Sequence, residues 1–192
     1  DELAEGVIAQ DSGYLDSVTI RALVNAERGQ LDAAMEHYRT ALGASERSDA
    51  IALQGLADLA IAECDWDTAR MLLDRGQLLD SASQDYEHRA RKLLMIGEVE
   101  LSVGEGREGC SARLDEALSI STSIPTLFTS ALLCLRGVLD TSTVMKAFQK
   151  KATVHARAYT KLTEAIASFQ LGDVGETTAR LNESFQIADL WL

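Results

Sequence analysis

Apolar residues along this chain recur at the three- and four-residue spacing of one helix face, not at the alternation of a half-buried strand. In residues 29–42, Leu31, Ala34, Tyr38 and Ala41 fall on one side of a predicted helix. About 35 residues later the same order returns as Trp66, Ala69, Leu73 and Gly76: large, small, large, small, at steps of three, four and three. Upstream of that second copy, Leu53, Leu56, Ala57 and Ala60 form the facing stripe of another helix, and the small Ala57 lets the two helices approach closely. The repeating unit is therefore a pair of antiparallel helices.

A third pair is predicted over 86–118, with Leu93, Ile96 and Gly97 on its first helix and Cys110, Leu114 and Ala117 on its second, across a turn at 104–106. Ser123, Ile124 and Pro125 open a fourth, with serine as the N-cap and proline in the first turn, and a break falls at 137–140. The fifth carries Leu162, Ala165 and Phe169, a Gly172-Asp173 turn, then Thr177, Leu181 and Phe185, while Leu3, Val7 and Ile8 suit the second helix of an earlier pair. A single pair cannot bury its apolar face, so neighbours must stack. The expected fold is all-α: a right-handed superhelix of about five stacked antiparallel helix pairs, forming one helical-repeat domain over 1–192. The chain begins without methionine and ends on Leu190, Trp191 and Leu192, so it is expected to be a fragment of a longer protein.

Composition sharpens this picture. The 192 residues are 46% hydrophobic but only 5% aromatic and include one proline, which disfavours an all-β sandwich with its frequent turns. Thirty acidic against 18 basic side chains give a net charge of -12, which repels phosphate backbones and anionic membranes. No apolar run approaches the roughly 18 residues of a membrane span. Cys64, Cys110 and Cys134 are odd in number, far apart and set in apolar helical patterns, so they read as buried, reduced thiols of an intracellular, cytoplasmic protein, also nuclear if eukaryotic.

Sequence chemistry points away from catalysis. Residues 104–109 lack the spacing and lysine of a phosphate-binding loop, and no G-x-S-x-G elbow occurs. His37, His88 and His155 stand alone, without the spacing of a zinc site. Neither an enzyme nor a cofactor or metal is expected. Two basic clusters remain as candidate partner-binding surfaces. Lys146, Lys150, Lys151, Arg157 and Lys161 have no acid among them, and the spacing of Lys146, Lys150, Val154, Arg157 and Lys161 puts most of them on one helical stripe; Arg89, Arg91 and Lys92, beside His88, form the second. Trp191 at the apolar C-terminus is a further candidate. Residues 1–80 hold 16 acids and 6 bases, so charge is polarised along the chain, as suits oriented assembly.

The order Gly29, Leu31, Ala34, Tyr38, Ala41, then Trp66, Ala69 and Leu73, resembles the tetratricopeptide repeat. The positions aligned with the groove of such repeats carry Thr19, Leu23, Gln54 and Asp58, not the lysines and asparagines with which some members clamp chaperone C-termini. Three segments further resemble the proteasome lid subunit family that includes the first subunit of the signalosome. These are Asp85, Tyr86, Arg89 and Arg91 running on to Gly97; Leu114 and Asp115 with 119–123; and Leu133 and Cys134 with Asp140. Tyr86 and Ile120 stand where that family has tryptophan and phenylalanine. The resemblance implies a non-enzymatic scaffold whose repeats contact neighbouring subunits and precede a winged-helix module; residues 174–192 are expected to form one more helix and not the start of that module. The partners expected are other protein subunits or a peptide. Two other functions suit the same residues: a bacterial tetratricopeptide sensor or regulatory domain holding a peptide or small ligand in its groove, and an RNA-associated repeat in which 146–161 meets phosphates. Nucleic acid is otherwise not expected.

Overall fold

A computed structural model describes residues 15–43, 45–104, 106–151 and 153–189. Among these residues the only regular structure is α-helix: α1 (Leu15–Glu27), α2 (Leu31–Ala41), α3 (Glu46–Ala62), α4 (Trp66–Ser83), α5 (Tyr86–Ser102), α6 (Arg107–Ile120), α7 (Ile124–Leu135), α8 (Thr141–Gln149), α9 (Val154–Gln170) and α10 (Val174–Asp189). The chain divides into two compact units, 1–92 and 93–192, with the boundary inside α5. No described helix is long and apolar enough to cross a membrane. Leu3, Val7, Ile8 and Trp191 lie outside the described residues.

In unit 1, α1 packs on α2 and α3, α2 on α3, and α3 on α4. The repeated small and large positions form the contacts: Ala34, Tyr38 and Ala41 join Ala22, Ala52 and Leu59 in one core cluster, and Ala69 and Leu73 are fully buried on α4. Tyr38 explains why Gly55 has no side chain, since a Cβ there would stand 2.2 Å from the ring. Helix starts are set by side chains, with Ser45 Oγ accepting from the Ser48 N–H at 3.1 Å and Asp65 Oδ1 from the Thr68 N–H at 3.2 Å. Cys64 departs from expectation. It is exposed, because α3 ends at Ala62 and the chain reverses through Cys64 in the left-handed conformation at φ 60°.

In unit 2, α6 packs on α7 and α8, α7 on α8 and α9, α8 on α9, and α9 on α10. Gly97 faces α6, where a Cβ would lie 3.2 Å from Cys110 Sγ. Cys110 and Cys134 are buried, and burial pushes their thiols up to about 11 and about 12, which keeps them protonated and unreactive. Ser123 and Pro125 open α7 as the sequence predicts, and the break ends where Asp140 Oδ2 accepts from the Thr143 N–H at 2.9 Å. Two expectations are corrected. Phe169 and Phe185 are each 63% exposed, because α9 and α10 meet near Ala158, where Ser184 Oγ donates to the carbonyl at 2.9 Å, and Phe169 sits in the last turn of α9. The basic run is not one helical stripe either. α8 stops at Gln149 and α9 starts afresh at Val154, with Thr153 Oγ1 accepting from the Ala156 N–H at 3.1 Å.

Candidate functional site

The nine candidate contact residues meet different fates. Lys92 is removed from any docking surface: it is 0% exposed, and its Nζ donates to Asp80 Oδ2 at 2.8 Å. Gly76 makes the room, since a Cβ there would lie 2.7 Å from Lys92 Cε. Burial pushes the Lys92 ammonium down and the Asp80 carboxyl up from their ordinary values, against the bond they share. Arg89 and Arg91 are half-buried on α5, and Arg91 lines a cavity in unit 1.

The break between α8 and α9 does not scatter the basic run. Lys151, Arg157 and Lys161 line one cavity of about 420 Å³ in unit 2, with Phe148 and Ile187 as apolar walls and Glu164 at the side. Phe148 is anchored in the core, Arg157 is exposed and Lys151 half-buried. Lys146 and Lys150 are exposed on and just after α8, outside the cavity lining. Lys161 is already partnered: its Nζ lies 2.8 Å from Glu164 Oε2 and 3.1 Å from Glu183 Oε2. Hydrogen bonds to those two carboxylates hold its ammonium above the ordinary lysine range. Arg180 continues the network to Glu176 and Glu183. The cavity therefore presents Lys151 and Arg157 beside an apolar wall, with Lys161 as a neutralised border.

A second cavity, of about 210 Å³, lies in unit 1. It gathers the positions that sequence reading assigns to the groove: Thr19 and Leu23 from α1, Gln54 and Asp58 from α3. Ile20, Ile51, Tyr38, His88 and Arg91 complete much of the lining. Gln54 is only 9% exposed, and its Oε1 has no hydrogen-bond partner. Burial pushes the Tyr38 hydroxyl up, and the carboxylates of Asp58 and Glu27 push it further. At the other side, the His88 ring meets Asp85 Oδ2 at 2.9 Å. Burial works against the Asp85 carboxylate, yet its bonds to the His88 ring and backbone N–H, with Arg47's charge, hold it below its usual range.

The sequence named four residues that line the unit 1 cavity and the cations of the unit 2 cavity, but not the partners of those cations. Glu164 lies one turn beyond Lys161 on α9 itself, whereas Glu183 is far along the chain and reaches Lys161 only because α10 packs on α9. Asp80 carried one usable signal: it stands one turn beyond Gly76, so the small residue and the acid share a helix face. Among the described residues, no group of three or more histidine, cysteine, aspartate or glutamate side chains is placed to hold a metal ion. No known protein-family model and no curated protein sequence matches this chain.

Proposed function

We propose that this chain is a non-enzymatic docking module, in which helix pairs stack within each unit in the right-handed sense of tetratricopeptide repeats and hold a segment of a partner protein. The observation that carries this reading is the unit 2 cavity, where Lys151, just after α8, and Arg157, in the first turn of α9, stand beside the half-buried Ile187. An acidic segment with a large apolar residue matches both features. The carboxylates meet the cations, and the apolar side chain covers a wall that water cannot satisfy. Assembly beside other subunits, as in a lid-like or signalosome-like complex, rests on the resemblance of 85–97, 114–123 and 133–140 alone.

RNA is a weaker fit to the same cavity. Glu164 and Glu183 neutralise Lys161, which leaves too few cations to follow a phosphate backbone, and the apolar Ile187 matches a peptide side chain and not a sugar-phosphate chain. Selection from a random displayed-peptide library against the protein tests the reading. The expected winners carry aspartate or glutamate next to a large apolar residue, bind less well as salt rises, and lose binding to a Lys151→Glu, Arg157→Glu double variant. Winners without acidic enrichment, or binding unchanged in that variant, would contradict it. So would tight, salt-sensitive binding of single-stranded RNA in place of the peptides.

A further inference from the structure

The unit 1 cavity is a separate site, independent of docking at unit 2. Its strongest feature is Gln54: a buried carboxamide oxygen without a partner costs on the order of 1–3 kcal/mol, a penalty that a bound donor removes. The cavity's size limits what can supply that donor. At about 210 Å³ it falls below the roughly 300–1,000 Å³ of sites for drug-sized ligands, and it has room for a molecule of about one amino acid.

Of the four helices that line it, three supply contrasting chemistry. From α1 come Ile20 and Leu23, 41% and 53% exposed, which form an apolar side waiting for cover. From α3 comes the acceptor Gln54 Oε1, with Asp58 one turn further along the same helix. From α5 comes Arg91, a half-buried guanidinium without an ion pair among the described residues. We propose that this cavity binds a free apolar α-amino acid, with its side chain on Ile20 and Leu23, its ammonium donating to the Gln54 carboxamide oxygen once rotation of that side chain turns the buried oxygen into the cavity, and its carboxylate on Arg91. One tetrahedral carbon carries all three substituents, which is why a ligand so small can meet three helices at once. Guanidinium and carboxylate match as a two-point, charge-assisted contact. The site would make unit 1 responsive to amino-acid supply, in line with the sensor function that the sequence also suits.

The test is calorimetric titration and thermal unfolding of the whole chain with L-leucine, leucinamide, 4-methylpentanoate and N-acetylglycyl-leucine. Leucine is expected to bind and to raise the unfolding midpoint at about 10 mM. Leucinamide, lacking the carboxylate, and 4-methylpentanoate, lacking the amine, are each expected to bind at least about tenfold more weakly. Arg91→Gln on the surface of α5 should weaken leucine by a similar factor, and Gln54→Leu should abolish the preference for leucine over 4-methylpentanoate. Absence of heat and of any midpoint shift with leucine would overturn the proposal. Equal binding of leucine by Arg91→Gln would do so too, and N-acetylglycyl-leucine binding at least as tightly as leucine would replace the free amino acid with a peptide end.

Discussion

Unit 1 and unit 2 are built from the same kind of helix pair but hold charge at different depths. Residues 1–92 contain 18 acids and 9 bases, and residues 93–192 contain 12 and 9, so the first unit is far more negative. Yet unit 1 spends one of its few cations inside, where Lys92 and Asp80 pair out of contact with water. Unit 2 instead strings Lys161, Glu164, Glu183, Arg180 and Glu176 across a surface that solvent reaches. Its buried acids take an intermediate course, with Glu98 reaching outward to the half-exposed Arg136 at 3.2 Å and Glu100 to Arg113 at 2.8 Å. The contrast separates two uses of a charged residue. A pair without water fixes how two helices meet, whereas an exposed network leaves neighbouring cations such as Arg157 available to a partner.

Breaking the buried pair should have the largest effect. Lys92→Met leaves Asp80 buried without its cation and is expected to cost about 3–5 kcal/mol in urea unfolding. Adding Asp80→Leu should recover most of that loss, because no charge then remains inside. If the single variant is as stable as the parent, the pair is not the lock that fixes α4 on α5. Gly55→Ala comes next: its Cβ meets the Tyr38 ring at 2.2 Å and should cost about 1–3 kcal/mol as the core is forced apart. The unit 2 counterpart, Lys161→Met, should change stability by no more than about 1 kcal/mol, since its pairs are open to solvent.

The smallest effect is a slope with pH. Burial pushes the Glu98 carboxyl up from its ordinary 4.5, more than the Arg136 charge pulls it down. The folded chain therefore keeps this proton to higher pH than the unfolded chain. Its stabilising contribution is complete below the ordinary glutamate value and fades as pH climbs through the raised one. Glu98→Gln removes that titration, so its stability should fall less than the parent's over this interval. Unfolding midpoints taken across the interval would reveal a parallel pair of curves if Glu98 played no part.

These contrasts also mark what the sequence could tell. Helix faces were legible because periodicity is local: Ala34, Tyr38, Ala69 and Leu73 pack as their spacing says, and the caps at Ser123 and the break before Thr141 fall where the residue types put them. Thr19 and Leu23, and Gln54 and Asp58, were assigned by the repeat resemblance and not by periodicity, and they line one cavity. Depth was not legible, because it depends on residues brought in from another helix. Lys92 looks like its neighbours Arg89 and Arg91 until Gly76 and Asp80 supply space and a counter-charge. Lys161 looks free until pairing with α10 brings Glu183 beside it. Cys64 sits at the end of an apolar run, one step beyond the point where the helix can still bury it.

The central claim is that partners dock on the basic cavity of unit 2, while unit 1 offers a separate, residue-sized site. Amide NMR titration of the isotopically labelled protein with an acidic–apolar peptide from the library selection tests it directly. Shifts concentrated at 148–151, 157–164 and 187, and lost in the Lys151→Glu, Arg157→Glu variant, are the predicted result. Shifts concentrated instead at 19–23, 54–58 and 88–91 would contradict it and move partner docking to unit 1.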